Sequence, residues 1–100
     1  HRLVQQIPRF PSMARDMALV VDADVTIRQV LDIISKFQLV KDVSIFDVYS
    51  GKQVAEGKKS LAYRVVFQSP AHTLTDEEVD KVQGKILGRL SHELGATLRS

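Results

Sequence analysis

Residues 43–68 read VSIFDVYSGKQVAEGKKSLAYRVVFQ, two alternating apolar runs joined by a polar connection that opens at Ser50-Gly51 and ends near Gly57. Runs of this length, rich in Val, Ile, Tyr and Phe and broken by glycine, predict a β-hairpin. Its strands cover about Val43 to Tyr49 and about Lys59 to Gln68. Alternation assigns their faces. Phe46 and Val48 suit a buried side, with Leu61, Tyr63, Val65 and Phe67. That leaves Ile45, Asp47 and Tyr49 outward, beside Ser60, Ala62, Arg64, Val66 and Gln68.

Downstream, Pro70 stops the hairpin, because proline has no N–H for a ladder. Thr75 and Glu78 then form a capping box, with Asp76 and Glu77 where the positive end of a helix favours carboxylates. Val79, Val82, Ile86, Leu90 and Leu94 recur at helical spacing, and Gly95 is a C′ stop. Ala96 to Arg99 is long enough for one short closing strand. Gly84 and Gly88 are expected to let this helix approach the sheet closely. Upstream, Thr26 and Gln29 make a second capping box ahead of a stripe of Ile27, Val30, Leu31, Ile34 and Phe37, predicting a helix over about 26–38. Before it, Met17, Leu19 and Val21 alternate with Asp16, Ala18 and Val20, and Asp22-Ala23-Asp24 ends that strand. Residues 1–14, with Pro8 and Pro11, read as an extended strap or linker, and 15–100 as one folded domain.

The order strand, helix, strand, strand, helix, strand describes an α+β fold, the ferredoxin-like βαββαβ sandwich. The handedness rule for crossovers places both helices on one face of a four-stranded antiparallel sheet, with the first and third strands central. The other face stays open.

The bulk composition agrees. One hundred residues is a common domain size, and 44% apolar with 26% charged residues is ordinary for a globular protein. There is no Cys, which excludes disulfides, thiolate metal sites and thiol catalysis and fits a reducing compartment. No apolar run reaches the length of a membrane-spanning helix, so no membrane partner is expected. His1-Arg2-Leu3-Val4-Gln5-Gln6 has no apolar centre of a signal peptide, and the missing initiator Met fits a piece of a longer protein. Net charge is only +2, but it is segregated: Lys52, Lys58, Lys59 and Arg64 crowd the hairpin, whereas Asp16, Asp22, Asp24 and Asp32 occupy the preceding segment.

On the open face Ala18 and Ala62 make a low floor, ringed by Asp47, Tyr49, Ser60 and Arg64. Such a surface can receive a planar base. Tyr stacks, a carboxylate accepts from base N–H groups, and cations meet phosphate. Plainer roles exist for each: Tyr49 capping the sheet edge, Asp47 pairing with Arg64, Lys58 and Lys59 as a solvated turn. His1, His72 and His92 are too scattered for a metal site, and no Ser, His and acid group suggests catalysis.

Five segments carry a family resemblance. Arg9-Phe10-Pro11-Ser12-Met13-Ala14-Arg15-Asp16-Met17-Ala18-Leu19-Val20-Val21 is similar to the FP-x-x-x-RD-L-x-L-V opening of the ferredoxin-fold anticodon-binding domains. Phe46-Asp47-Val48-Tyr49, Gly57-Lys58-Lys59-Ser60-Leu61-Ala62 and Thr73-Leu74-Thr75-Asp76-Glu77-Glu78-Val79 follow in the family's order, with the ending Leu94-Gly95-Ala96-Thr97-Leu98-Arg99. The resemblance implies a non-catalytic module at the end of a phenylalanyl-tRNA synthetase β chain, in an α2β2 cytoplasmic assembly whose α chain performs aminoacylation with ATP and Mg. It implies the anticodon stem-loop of phenylalanine tRNA as partner, with Asp47, Tyr49 and Ser60 facing the first anticodon base. Lys58, Lys59, Arg64, Arg15 and Arg9 are then expected along the RNA backbone, and Ala62 beneath the base. Two rivals share the element order: an ACT-like small-molecule regulatory module, which usually has a glycine-rich loop where this chain has Asp22-Ala23-Asp24, and a domain that only packs on its neighbours.

Overall fold

A capping box forms wherever Thr is followed three residues later by Gln or Glu at the head of an apolar stripe, and both such sites start helices here. Residues 10–99 are described by a computed structural model; Arg9 and most of the expected strap lie outside the described residues. The Gln29 backbone N–H donates to Thr26 Oγ1 at 3.1 Å and Thr26 N–H donates to Gln29 Oε1 at 2.8 Å, opening α1 (Ile27–Ser35). Thr75 and Glu78 repeat the exchange at 3.2 and 3.0 Å, opening α2 (Asp76–Leu94). α1 stops sooner than its apolar stripe, because Lys36 and Phe37 donate to the carbonyls of Ile33 and Ile34 in tightened three-residue turns. Gly95 closes α2 at φ +66°, a left-handed conformation that a side chain would strain.

The strands are β1 (Met13–Asp22), β2 (Val40–Tyr49), β3 (Lys58–Phe67) and β4 (Thr97–Leu98). They form one antiparallel sheet in the order β2-β3-β1-β4, so the ferredoxin-like reading stands. Alternate residues of the two central strands, Leu19 and Val21 with Leu61, Tyr63, Val65 and Phe67, are buried. They share one core with Val30, Ile33 and Ile34 of α1 and Val79, Ile86 and Leu90 of α2. Both helices therefore cover one face. The intervening residues, Asp16, Ala18 and Val20 opposite Arg64, Ala62 and Ser60, point the other way.

The expectation for Gly84 and Gly88 is corrected. Both are exposed, and a β-carbon built on either would meet no atom within 4 Å. They lie on the solvent side of α2, where glycine only adds chain entropy to the unfolded state. Gly84→Ala and Gly88→Ala are each expected to stabilise the domain by about 0.5–1 kcal/mol, measurable by urea denaturation; a loss of stability would mean that the helix backbone is closely approached after all.

Candidate nucleic-acid interface

A bulge in β2 decides what the open face presents. Ile45 pairs with Tyr63, yet Asp47, two residues on, pairs with Ala62, one residue on. Phe46 is the extra residue, and strict alternation fails there. Ile45 turns inward to pack against the core, not outward. Phe46, expected to be buried, is 56% exposed and lies under the Arg64 guanidinium at 5.5 Å. Val48 keeps the helix-side register opposite Leu61 but is 49% exposed. Asp47 and Tyr49 remain on the open side, opposite Ala62 and Ser60.

Tyr49 has two close neighbours. The Arg99 guanidinium lies 5.6 Å from its ring centroid. Its phenol also runs close to Gly51, where a β-carbon would fall 2.6 Å from Tyr49 Oη. Arg99 follows β4, its backbone N–H donating to the Ala18 carbonyl at 2.9 Å. From there its side chain crosses the face to donate to Ser60 Oγ at 3.2 Å and Gln53 Oε1 at 3.1 Å. The Ser60 hydroxyl is thus buried, at 3% exposure, as the acceptor of an arginine and not as an open rim group. Ala18 and Ala62, in register across the central strands and half-buried, are the floor.

Gly51→Ala is expected to displace the Tyr49 ring, whose tip the β-carbon would meet, and to lower stability somewhat, because Gly51 sits at φ +159°, where a side chain is strained. A shifted Tyr49 ring resonance with a modestly lowered melting temperature would check this. A Tyr49 resonance identical to that of the parent chain would contradict it.

The expected cations are largely engaged within the protein. Arg64 donates through Nε and Nη2 to both carboxylate oxygens of Asp16 at 2.7 and 2.9 Å, a bidentate pair. Its hydrogen bonds hold the Asp16 carboxyl below the usual range and raise the guanidinium in turn. Lys58 Nζ lies 2.6 Å from Asp22. Arg15 sits on the helix face opposite Val65, reaching Asp76 at 3.0 Å and Asp80 at 3.5 Å on α2. Lys59 lies in helix-side register opposite Val21. Exposed pairs of this kind exchange partners at little cost. The Asp47 carboxylate has no hydrogen-bond or ion-pair partner among the described residues, so it is available to an incoming N–H donor.

A depression of about 210 Å³ lined by Ile33, Lys36, Phe37, Arg89 and Glu93 lies between the helices, across the sheet from Tyr49. Among the described residues no cluster of three His, Asp or Glu could hold a metal ion, and no helix is long and apolar enough to cross a membrane. Sequence reasoning missed two members of the face. Arg99 follows a strand of only two residues, too short for alternation to assign it a side. Phe46 was misassigned by a bulge, for which the only local signal is two consecutive residues, Phe46 and Asp47, where one apolar position was due.

The family model for the ferredoxin-fold anticodon binding domain matches residues 8–99. Over 99 residues the chain is 59% identical to the phenylalanine–tRNA ligase β subunit of Dehalococcoides mccartyi strain CBDB1, covering 99% of the chain and 12% of that protein. A second strain of the species, ATCC BAA-2266, has a β subunit 62% identical over 99 residues, with the same coverage. The β subunit of Clostridium tetani is 48% identical over 95 residues, 93% of the chain and 12% of its length. The chain therefore spans about an eighth of these relatives, and it belongs to the ferredoxin-fold anticodon-binding domain family.

Proposed function

We propose that this chain is the anticodon-recognising part of a phenylalanine–tRNA ligase β subunit and that the open face of its sheet holds the anticodon stem-loop of phenylalanine tRNA. One observation carries the reading: Tyr49, Asp47 and Ser60 share the helix-free face over an alanine floor, with Arg99 against Tyr49 and Ser60. A single unpaired base lies flat on Tyr49. Asp47 accepts from its N–H groups, and Arg99, seated on Ser60, donates to its acceptor edge. Ala62 leaves room for the base plane. Lys58 steers the RNA backbone along the hairpin, trading Asp22 for phosphate, while Arg64 stays on the open face paired with Asp16, and Arg15 and Lys59, on the helix side of the sheet, take no part.

The activity belongs to the rest of the assembly. The α chain and other β-chain domains are the protein partners, and ATP and Mg are used there in the cytoplasm. Membership in the anticodon-binding family leaves the ACT-like regulatory reading without support.

Since most cations of the face are already paired, binding by the chain alone is weak and gains strength by tethering to other tRNA contacts. A titration of this chain with phenylalanine tRNA stem-loops at low salt tests the reading. Saturable binding that weakens when the first anticodon base is changed supports it. Equal binding of all loops would refute base recognition, and no binding at millimolar RNA would refute the interface.

A further inference from the structure

We propose that Phe46 and Arg64 form a second stacking seat on the open face, for an unpaired nucleobase of the same RNA other than the one at Tyr49; this rests on the reading just given. The bulge that inserts Phe46 turns its ring out of the core and into solvent. At 56% exposure, the phenylalanine leaves much of its ring surface open to a stacking partner. Arg64 lies over that ring at 5.5 Å. Its orientation is fixed by two hydrogen bonds to Asp16, at 2.7 and 2.9 Å. Those bonds also neutralise the charge, so the pair is a flat, nearly neutral shelf more than a phosphate clamp. Bases stack on such planes whatever their sequence.

Spacing makes this a separate seat. Phe46 and Tyr49 are three positions apart on β2, roughly 10 Å at the rise of a strand, too far for one base to lie between the rings. The Phe46 ring lies against Arg64 of the open face, where Asp47 and Tyr49 also stand, so one single-stranded segment can run across both rings. A protein neighbour would also cover an exposed Phe, but the continuity with Tyr49 and the arginine plane on the ring favour a nucleobase.

The test uses the whole synthetase carrying this chain, with Phe46→Ala, Phe46→Leu and Phe46→Trp. The expected result is a fall in kcat/KM for tRNA of roughly five- to hundredfold in the Ala and Leu variants and near-parental activity in the Trp variant. Amino-acid-dependent ATP–pyrophosphate exchange is unchanged throughout. Double-mutant cycles with tRNAs made abasic at each unpaired anticodon-loop position should couple Phe46 to one position and Tyr49 to another. A Phe46→Leu enzyme equal to the parent, or coupling of Phe46 to no position, overturns the second seat. So does loss of α-chain assembly in native mass spectrometry without RNA coupling, which would make Phe46 a protein contact. If Tyr49 couples and Phe46 does not, only this inference falls; if neither couples, the proposed interface falls with it.

Discussion

Replacing Tyr49 by Ala in the synthetase that carries this chain is expected to lower kcat/KM for tRNA aminoacylation by roughly five- to hundredfold, the worth of about 1–3 kcal/mol of base stacking. Phenylalanine activation should be untouched, since on the proposed function the chemistry lies elsewhere in the assembly. The ring is preorganised: Arg99 flanks it at 5.6 Å and Gly51 allows it to lie close to the loop backbone. No side chain of the core depends on it, so the loss reports recognition, not unfolding. Tyr49→Phe keeps the stacking plane and should retain most of the activity. Steady-state kinetics with varied tRNA check this. A Tyr49→Ala enzyme with parental kcat/KM would leave the domain with only a packing role.

The largest expected effect on stability is at Tyr63. Its ring is fully buried at the centre of β3, and Tyr63→Ala should cost about 3–5 kcal/mol, a large part of the roughly 5–15 kcal/mol that holds a domain of this size. The melting temperature should fall by roughly 12 °C or more. Tyr63→Phe should do the opposite. Among the described residues, the buried phenol finds no hydrogen-bond partner, so its removal frees the fold from an unsatisfied polar group and should be neutral or stabilising.

Burial also pushes the Tyr63 phenol up to about 12 from its ordinary value of 10. Below pH 10 the group is neutral in both folded and unfolded chains and has no effect. As pH rises from about 10 towards 12 the unfolded chain ionises first, and stability is lost. Denaturation curves of the parent and Tyr63→Phe should therefore diverge above pH 10, with the Phe variant losing less. Parallel curves would contradict a buried phenol.

Periodicity and capping boxes made most of the fold legible in advance. The strand order, both helix starts at Thr26 and Thr75, and the Gly95 stop follow from local chemistry that tertiary contacts did not override. Two kinds of detail were not legible. Face assignment by alternation held along β1 and β3, whose pairing runs without interruption, but failed at Phe46, because a bulge is a property of two strands in register and leaves little trace in one. Ion pairing was hidden for the same reason. Arg64 sits 48 positions from Asp16 and Arg15 sits 61 from Asp76, so a hairpin that reads as basic carries much less free charge than its sequence suggests. The Asp47, Tyr49 and Ser60 grouping could be read from parity alone. Arg99 could not, since it acts from the far edge of the sheet through the length of its side chain.

The central claim is that the helix-free face of the sheet takes the RNA. The most direct measurement is a backbone-amide chemical-shift map of the isotopically labelled chain titrated with the phenylalanine tRNA stem-loop. Perturbations concentrated at Asp47, Tyr49, Gly51, Ser60, Ala62 and Arg99, with the solvent sides of α1 and α2 silent, are the expected result. Perturbations concentrated on the helices, around Lys36, Arg89 and Glu93, with the sheet silent, would contradict it.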